Sequence, residues 1–212
     1  MNNKKYERIA PLYDVLDGPY EVGWKRRLRK VVFNDLSGLV LDAGCGTGCN
    51  LPVYPRNARM IGVDNSPAML VRARKRAEKH GCNVEFLERD LLRTNFPDAY
   101  FDHVVATFVF CVIPDDIQRD VLLEMRRICK PQGSIRILDY TMSKKAPVRT
   151  MMRIVSPWLN FAFSARYTAE PEHYYDDADL QVVEERFLVG DVVKYTTLRP
   201  AIAAAARRVA AG

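Results

Sequence analysis

The stretch Val40-Leu41-Asp42-Ala43-Gly44-Cys45-Gly46-Thr47-Gly48 constrains the fold more than any other part of this sequence. A short apolar run, Leu39-Val40-Leu41, ends in an acid and then meets three glycines at alternate positions. A run of that length between turn residues suits a strand buried on both faces. Glycine in the following loop permits positive φ and lets a ligand approach the backbone closely. The chain must therefore place a buried strand under a loop built to face something.

The same grammar repeats downstream. Met60-Ile61-Gly62-Val63 is a second apolar run and ends in Asp64. Ser66 is the expected N-cap of a helix that starts at Pro67 and that Gly81 closes. Val84-Glu85-Phe86-Leu87 reads as a third strand, followed by Arg89-Asp90, and residues 101–108 as a fourth. Residues 115–128 carry a helical pattern, Pro131-Gln132-Gly133 reads as a turn, and residues 135–140 as a fifth strand. Strands alternating with helices imply a parallel sheet with right-handed crossovers. Residues 182–187 and 192–197, joined at Gly190-Asp191, read instead as an antiparallel hairpin at the sheet edge. The expected fold class is thus α/β: a Rossmann-like, mostly parallel seven-stranded sheet with a C-terminal antiparallel hairpin.

One domain is expected over residues 1–200, consistent with a chain of 212 residues. Residues 1–36 form its N-terminal helical cap, and the Ala-rich tail 201–212 is assigned no function. The five cysteines show no CxxC pair or zinc-ligand spacing, so reduced thiols and no metal are expected. No apolar run reaches the ~18 residues of a spanning helix. The expected location is cytoplasmic, with peripheral contact at the inner face of the membrane.

The acids narrow the ligand. Asp42 at a strand end suits a cationic or hydroxyl-rich ligand. Asp64 ends the next strand, where a carboxylate accepts from both hydroxyls of a ribose. That feature is shared with dinucleotide proteins, so by itself it shows a nucleoside and not which one. Asp90 ends the third strand region and can accept from an adenine amino group, with the Leu91 backbone nearby. The glycine spacing separates the two nucleoside classes: Gly44, Gly46 and Gly48 give G-x-G-x-G, whereas a dinucleotide site uses G-x-G-x-x-G. Asp42 would also face a pyrophosphate unfavourably.

The segment Leu41 to Gly48 is similar to the first motif of class I S-adenosylmethionine (SAM)-dependent methyltransferases. Val63-Asp64-Asn65-Ser66-Pro67-Ala68-Met69-Leu70 resembles their second motif. Asp90 and Phe101-Asp102-His103-Val104-Val105-Ala106 resemble the next two. Arg126-Arg127-Ile128-Cys129-Lys130-Pro131-Gln132-Gly133-Ser134 resembles the turn before the fifth strand, with Gln132-Gly133 where a pair of glycines is usual. The resemblance implies SAM as cofactor. The expected cofactor-binding set is Asp42, Gly44, Gly46, Gly48, Asp64, Asn65, Asp90, Leu91 and Thr107. The opening Tyr6-Glu7-Arg8-Ile9-Ala10-Pro11-Leu12-Tyr13-Asp14 resembles two lipid-acting branches, the phosphatidylethanolamine N-methyltransferases and the ubiquinone/menaquinone C-methyltransferases. In those enzymes this segment covers the cofactor, which places Tyr6 and Tyr13 over the methyl donor.

Charge and amphipathicity bear on the acceptor. The net charge is +6, with a pI of about 9.1. Residues 24–33 form a basic helix carrying Trp24, Leu28, Val31 and Val32 at helical spacing. Residues 144–163 mix Lys144, Lys145, Arg149 and Arg153 with Met151, Ile154, Trp158 and Phe161. Cations beside such apolar side chains suit an anionic membrane interface, although the second stretch can equally pack on the sheet. No dedicated nucleic-acid motif is present, and nucleic acid is not the expected partner. The expected activity is methyl transfer to a lipid or other amphiphile, with phosphatidylethanolamine N-methylation first. Quinone-precursor C-methylation and a non-catalytic SAM-binding module are the alternatives. Tyr6, Tyr13 and Tyr140 are the candidate catalytic residues, with Asp139 and His103 as further acid–base candidates.

Overall fold

In chain order the elements are α1 (Arg26–Phe33), β1 (Gly38–Ala43), a 3-10 turn (Leu51–Val53), β2 (Ala58–Asp64), α2 (Pro67–His80), β3 (Glu85–Glu88), β4 (Phe101–Thr107), α3 (Asp115–Ile128), β5 (Cys129–Tyr140), α4 (Ala146–Phe163), a second 3-10 turn (Pro171–Tyr174), β6 (Leu180–Val189) and β7 (Val193–Pro200). The structure, a computed structural model, describes residues 24–163, 166–167 and 169–201. The helical cap expected before residue 24, with Tyr6 and Tyr13, lies outside the described residues, as does the tail beyond residue 201.

The seven strands form one sheet in the order β3-β2-β1-β4-β5-β7-β6. The first five are parallel, and β7 joins β5 antiparallel, with Tyr140 opposite Val193. Strand order reverses between β1 and β4. The crevice beyond their carboxyl ends is where open α/β sheets take ligands.

Alternation along the strands divides the core into two layers. Leu41, Ile61, Val104 and Ile135 point to one face and pack with Val121, Leu122 and Met125 of α3. Val40, Met60, Val105 and Leu138 point to the other and pack with Leu28, Val32 and Phe33 of α1. With both faces covered, the central strands read as unbroken apolar runs rather than alternating ones.

Most element limits follow the sequence. Helix α3 occupies residues 115–128 as its periodicity predicts, and α2 runs from Pro67 to the left-handed Gly81 at φ 61°. Ser66 stands at the N-cap, but its hydroxyl makes no cap hydrogen bond. Instead its own N–H donates to the Asp64 carboxylate at 2.9 Å. The other difference lies in β5, which begins at Cys129 rather than at 135. The pairing jumps from Phe101–Cys129 to His103–Ser134. The expected Pro131-Gln132-Gly133 turn is therefore a bulge within the strand, where extra residues bow out of the ladder. Cys45, Cys111 and Cys129 are buried, Cys49 and Cys82 are half-buried, and all five are free.

Candidate active site

A cleft opens where the sheet order reverses. Its polar lining comes from Gly44, Gly46, Thr47, Asp64, Asn65, Arg89 and Asp90, and its apolar lining includes Met69, Leu91, Phe108 and Val109. β1 delivers the chain to this cleft and the glycines turn it. Gly44 has φ +71°, and a Cβ there would lie 2.8 Å from Val109 Cγ2. A side chain at this position would therefore displace the cleft wall. The loop is tied back to β2 by the Cys45 N–H, which donates to the Val63 carbonyl at 2.9 Å.

Asp64 is held from behind by the backbone. Its Oδ2 accepts the Gly46 N–H at 3.0 Å and its Oδ1 accepts the Ser66 N–H at 2.9 Å. Each oxygen keeps acceptor capacity toward the cleft. Burial pushes the Asp64 carboxyl above its usual range, and the backbone hydrogen bonds oppose that shift. Asp90 sits in a tight turn, accepting the Leu92 N–H on its Oδ1 at 2.9 Å. This donor set fits an adenosyl sulfonium. Asp64 suits vicinal hydroxyls, Asp90 an exocyclic amine, the apolar wall a base, and Gly44 and Gly46 a ligand lying against the backbone.

Of the expected cofactor set, the fold brings Gly44, Gly46, Asp64, Asn65, Asp90 and Leu91 together at the cleft. The other three, Gly48, Asp42 and Thr107, are not among the residues that line it. Gly48 serves packing: at φ +79°, a Cβ would lie 2.8 Å from Leu51 Cδ1 and 3.2 Å from the Ala73 backbone of α2. Asp42 is fully buried, and both its oxygens accept from the Asn50 amide at 2.9 and 2.8 Å. The Tyr54 hydroxyl also donates to Asp42. Burial raises the Asp42 pKa most, while those hydrogen bonds and the charge of Arg29 lower it. Thr107 is buried too, accepting from Arg29 Nη1 at 2.6 Å and donating to Asn50 Oδ1 at 3.2 Å. Asn50 is the hub of this network.

The candidate catalytic residues separate as well. Tyr140 is one ring removed from the cleft. Phe108 lines the cleft, and its centroid lies 4.9 Å from that of Tyr140, which in turn lies 5.3 Å from Tyr167. Phe108 has φ +57°, and its N–H donates to the Leu138 carbonyl at 2.7 Å. Asp139 is a buried strut rather than a cleft base. It accepts the N–H groups of Phe110, Cys111 and Tyr140 at 2.7, 3.2 and 2.8 Å. Burial pushes its carboxyl up to about 6. His103 sits in mid-strand, 2.8 Å from the Ser134 hydroxyl, and burial lowers its pKa. Its position makes it structural. Among the described residues no group of side chains is placed to hold a metal ion.

Sequence reading missed Phe108, Arg29 and Asn50. One signal was present for Arg29: Lys25, Leu28, Arg29 and Val32 follow the spacing of an apolar helical face. Lys25 and Arg29 are only 9% and 7% exposed. Both cations lie over the Phe108 ring, 5.4 Å and 5.1 Å from its centroid.

The sequence and the fold are similar to those of known proteins. A family model described as a methyltransferase domain matches residues 40–133. A phosphatidylethanolamine N-methyltransferase of Cereibacter sphaeroides is 33% identical over 192 residues, which is 86% of this chain and 89% of that protein. A demethylmenaquinone methyltransferase of Thermus thermophilus is 31% identical over 175 residues, or 77% of this chain and 79% of the other. A geranyl diphosphate methyltransferase solved in complex with SAM shares the fold, with a TM-score of 0.65 and 14% identity over 84% of each chain.

Proposed function

The chain belongs to the SAM-dependent methyltransferases, and from that premise we propose that it methylates the amino headgroup of a phosphatidylethanolamine-type lipid. The observation that carries this reading is the likeness, over 86% of the chain, to a protein named for that reaction. In this reading Asp64 takes the ribose hydroxyls, and Asp90 with the Leu91 backbone takes the adenine. Gly44, Gly46 and Asn65 lie along the rest of the cofactor. Bound SAM supplies an electrophilic methyl carbon on a sulfonium.

The acceptor enters beside Phe108, on the side of Lys25 and Arg29. Two buried cations there favour an amine that has shed its proton, because like charge disfavours the ammonium form. They also attract the phosphodiester that such a lipid carries beside its amine. Much of the acceleration then comes from alignment of nitrogen and methyl carbon. Tyr6 and Tyr13 enter only by resemblance, as residues covering the methyl donor.

A membrane-held acceptor needs an enzyme that meets the bilayer surface. On α4, Met151, Ile154 and Val155 are 59%, 73% and 38% exposed. Arg153, also exposed, lies among them. At α1 the exposed Trp24 stands with Arg26, Arg27 and Lys30 beside one groove. Such faces suit an anionic interface. Among the described residues no helix is long and apolar enough to cross a membrane. Thin-layer separation of lipids after incubation with methyl-labelled SAM tests the reading. Label in mono-, di- or trimethylated ethanolamine lipid is expected. Label in a methylated quinone, formed from an added demethylated precursor, would instead support the second reading, which the Thermus relative favours. Label in neither would overturn both.

A further inference from the structure

Arg29 reaches from a helix outside the sheet to the end of β4 and to Asn50 in the loop after β1. Its Nη1 donates to Asn50 Oδ1 and to Thr107 Oγ1, both at 2.6 Å. The Asn50 amide nitrogen faces both oxygens of Asp42, which turns its carbonyl oxygen toward the guanidinium. The buried charges of Arg29 and Asp42 thus compensate each other through an amide relay.

The strand ends so fixed are those that make the cleft. Asp42 ends two residues before Gly44, and Thr107 directly precedes Phe108. The guanidinium lies over the Phe108 ring, whose other neighbour is Tyr140. Burying a guanidinium costs several kcal/mol unless it is paired and hydrogen-bonded. An apolar side chain would pack at this helix position without that cost, as Leu28 and Val32 do. Arg29 is itself absent from the cleft lining.

We propose that Arg29 is a positioning residue for methyl transfer, setting the Gly44 turn on the cofactor side and the Phe108 ring on the acceptor side. The acceptor half of this inference rests on the acceptor entering beside Phe108, whereas the cofactor half does not. Removing the guanidinium frees Asn50 to turn and leaves Asp42 buried without a countercharge. The two walls of the cleft then lose their common anchor.

The test compares Arg29→Met, Arg29→Lys and Thr107→Val by S-adenosylhomocysteine calorimetry and by kcat and KM per folded molecule, with the folded fraction measured by circular dichroism. Arg29→Met is expected to weaken S-adenosylhomocysteine about tenfold and to lower kcat more than it raises KM. Arg29→Lys keeps the charge without the planar fork and should recover part of both losses. Thr107→Val deletes the hydroxyl that bonds Arg29 and Asn50 and should lower kcat about threefold with the folded fraction unchanged, and it decides the matter if Arg29→Met does not fold. Affinity and kcat within twofold of wild type in every folded variant would overturn the proposal. If no lipid or quinone accepts label in the wild-type enzyme, the acceptor reading fails, while the calorimetric comparison still decides the cofactor side.

Discussion

The two halves of the cleft are built differently. The cofactor half comes from one contiguous stretch plus two strand ends: Gly44 to Thr47, Asp64 and Asp90. Its key acceptor is fixed by backbone N–H groups of Gly46 and Ser66. On the side proposed for the acceptor, Phe108 after β4 lines the cleft and is backed by distant side chains: Lys25 at the N-cap of α1, Arg29 of α1, and Tyr140 at the end of β5. Backbone-held groups tolerate changes in their neighbours. Side-chain assemblies depend on every member. The cofactor half should therefore fail only where that key acceptor itself is removed, whereas the acceptor half should weaken with the loss of any one member.

Asp64→Ala is the sharpest way to break this contrast. It removes the ribose acceptor and leaves two backbone donors unsatisfied. Since a hydrogen bond to a charged group is worth ~1.5–3 kcal/mol, S-adenosylhomocysteine should bind about 100-fold more weakly by calorimetry. An effect below fivefold would mean the ribose lies elsewhere.

Asp139 gives a pH signature to the acceptor half. Its folded pKa, about 6, stands above its ordinary 3.8, so between these values the folded state binds more protons than the unfolded state. This group's contribution is therefore lost as pH rises from ~4 through ~6, by roughly 3 kcal/mol over that interval. Asp139→Asn should show that much less decline over the same range in urea melts. Parallel stability–pH curves for the two proteins would contradict the assignment.

Phe108→Ala is expected to lower kcat/KM for the acceptor ~10–30-fold, about 1.4–2 kcal/mol, by steady-state assay. Affinity for S-adenosylhomocysteine should change less than threefold. Equal losses in both would show that the two halves are not separable.

The smallest effect belongs to the surface. Met151→Glu with Ile154→Glu should change stability by less than ~0.5 kcal/mol per site, because both side chains face solvent. Sedimentation with anionic vesicles should nevertheless fall about fivefold, given the loss of apolar area and the added charge. Unchanged pelleting would remove α4 from the membrane-facing surface.

The same contrast explains what could be read from the sequence. Strand ends, the glycine loop and the acids after it follow from local patterns, because backbone conformation and strand direction dictate where they lie. The hairpin was legible for the same reason: two β-rich runs flank Gly190, which takes φ +50°. Asp42 is not decided by local pattern, because an acid at a strand end looks the same whether it faces a ligand or a buried amide. Only the fold shows Asn50 and Tyr54 occupying it. Phe108 reads as one more apolar strand residue, yet it leaves the ladder with positive φ and forms a wall. Arg29 and Thr107 are 78 positions apart, so no local pattern could have joined them.

The most direct measurement is a pair of calorimetric titrations with S-adenosylhomocysteine, one on Asp64→Ala and one on Phe108→Ala, against wild type. A loss of about 100-fold in the first and less than threefold in the second is the predicted result. Wild-type affinity in Asp64→Ala, or a matching collapse in Phe108→Ala, would contradict a cleft divided into a backbone-held cofactor side and a side-chain-built acceptor side.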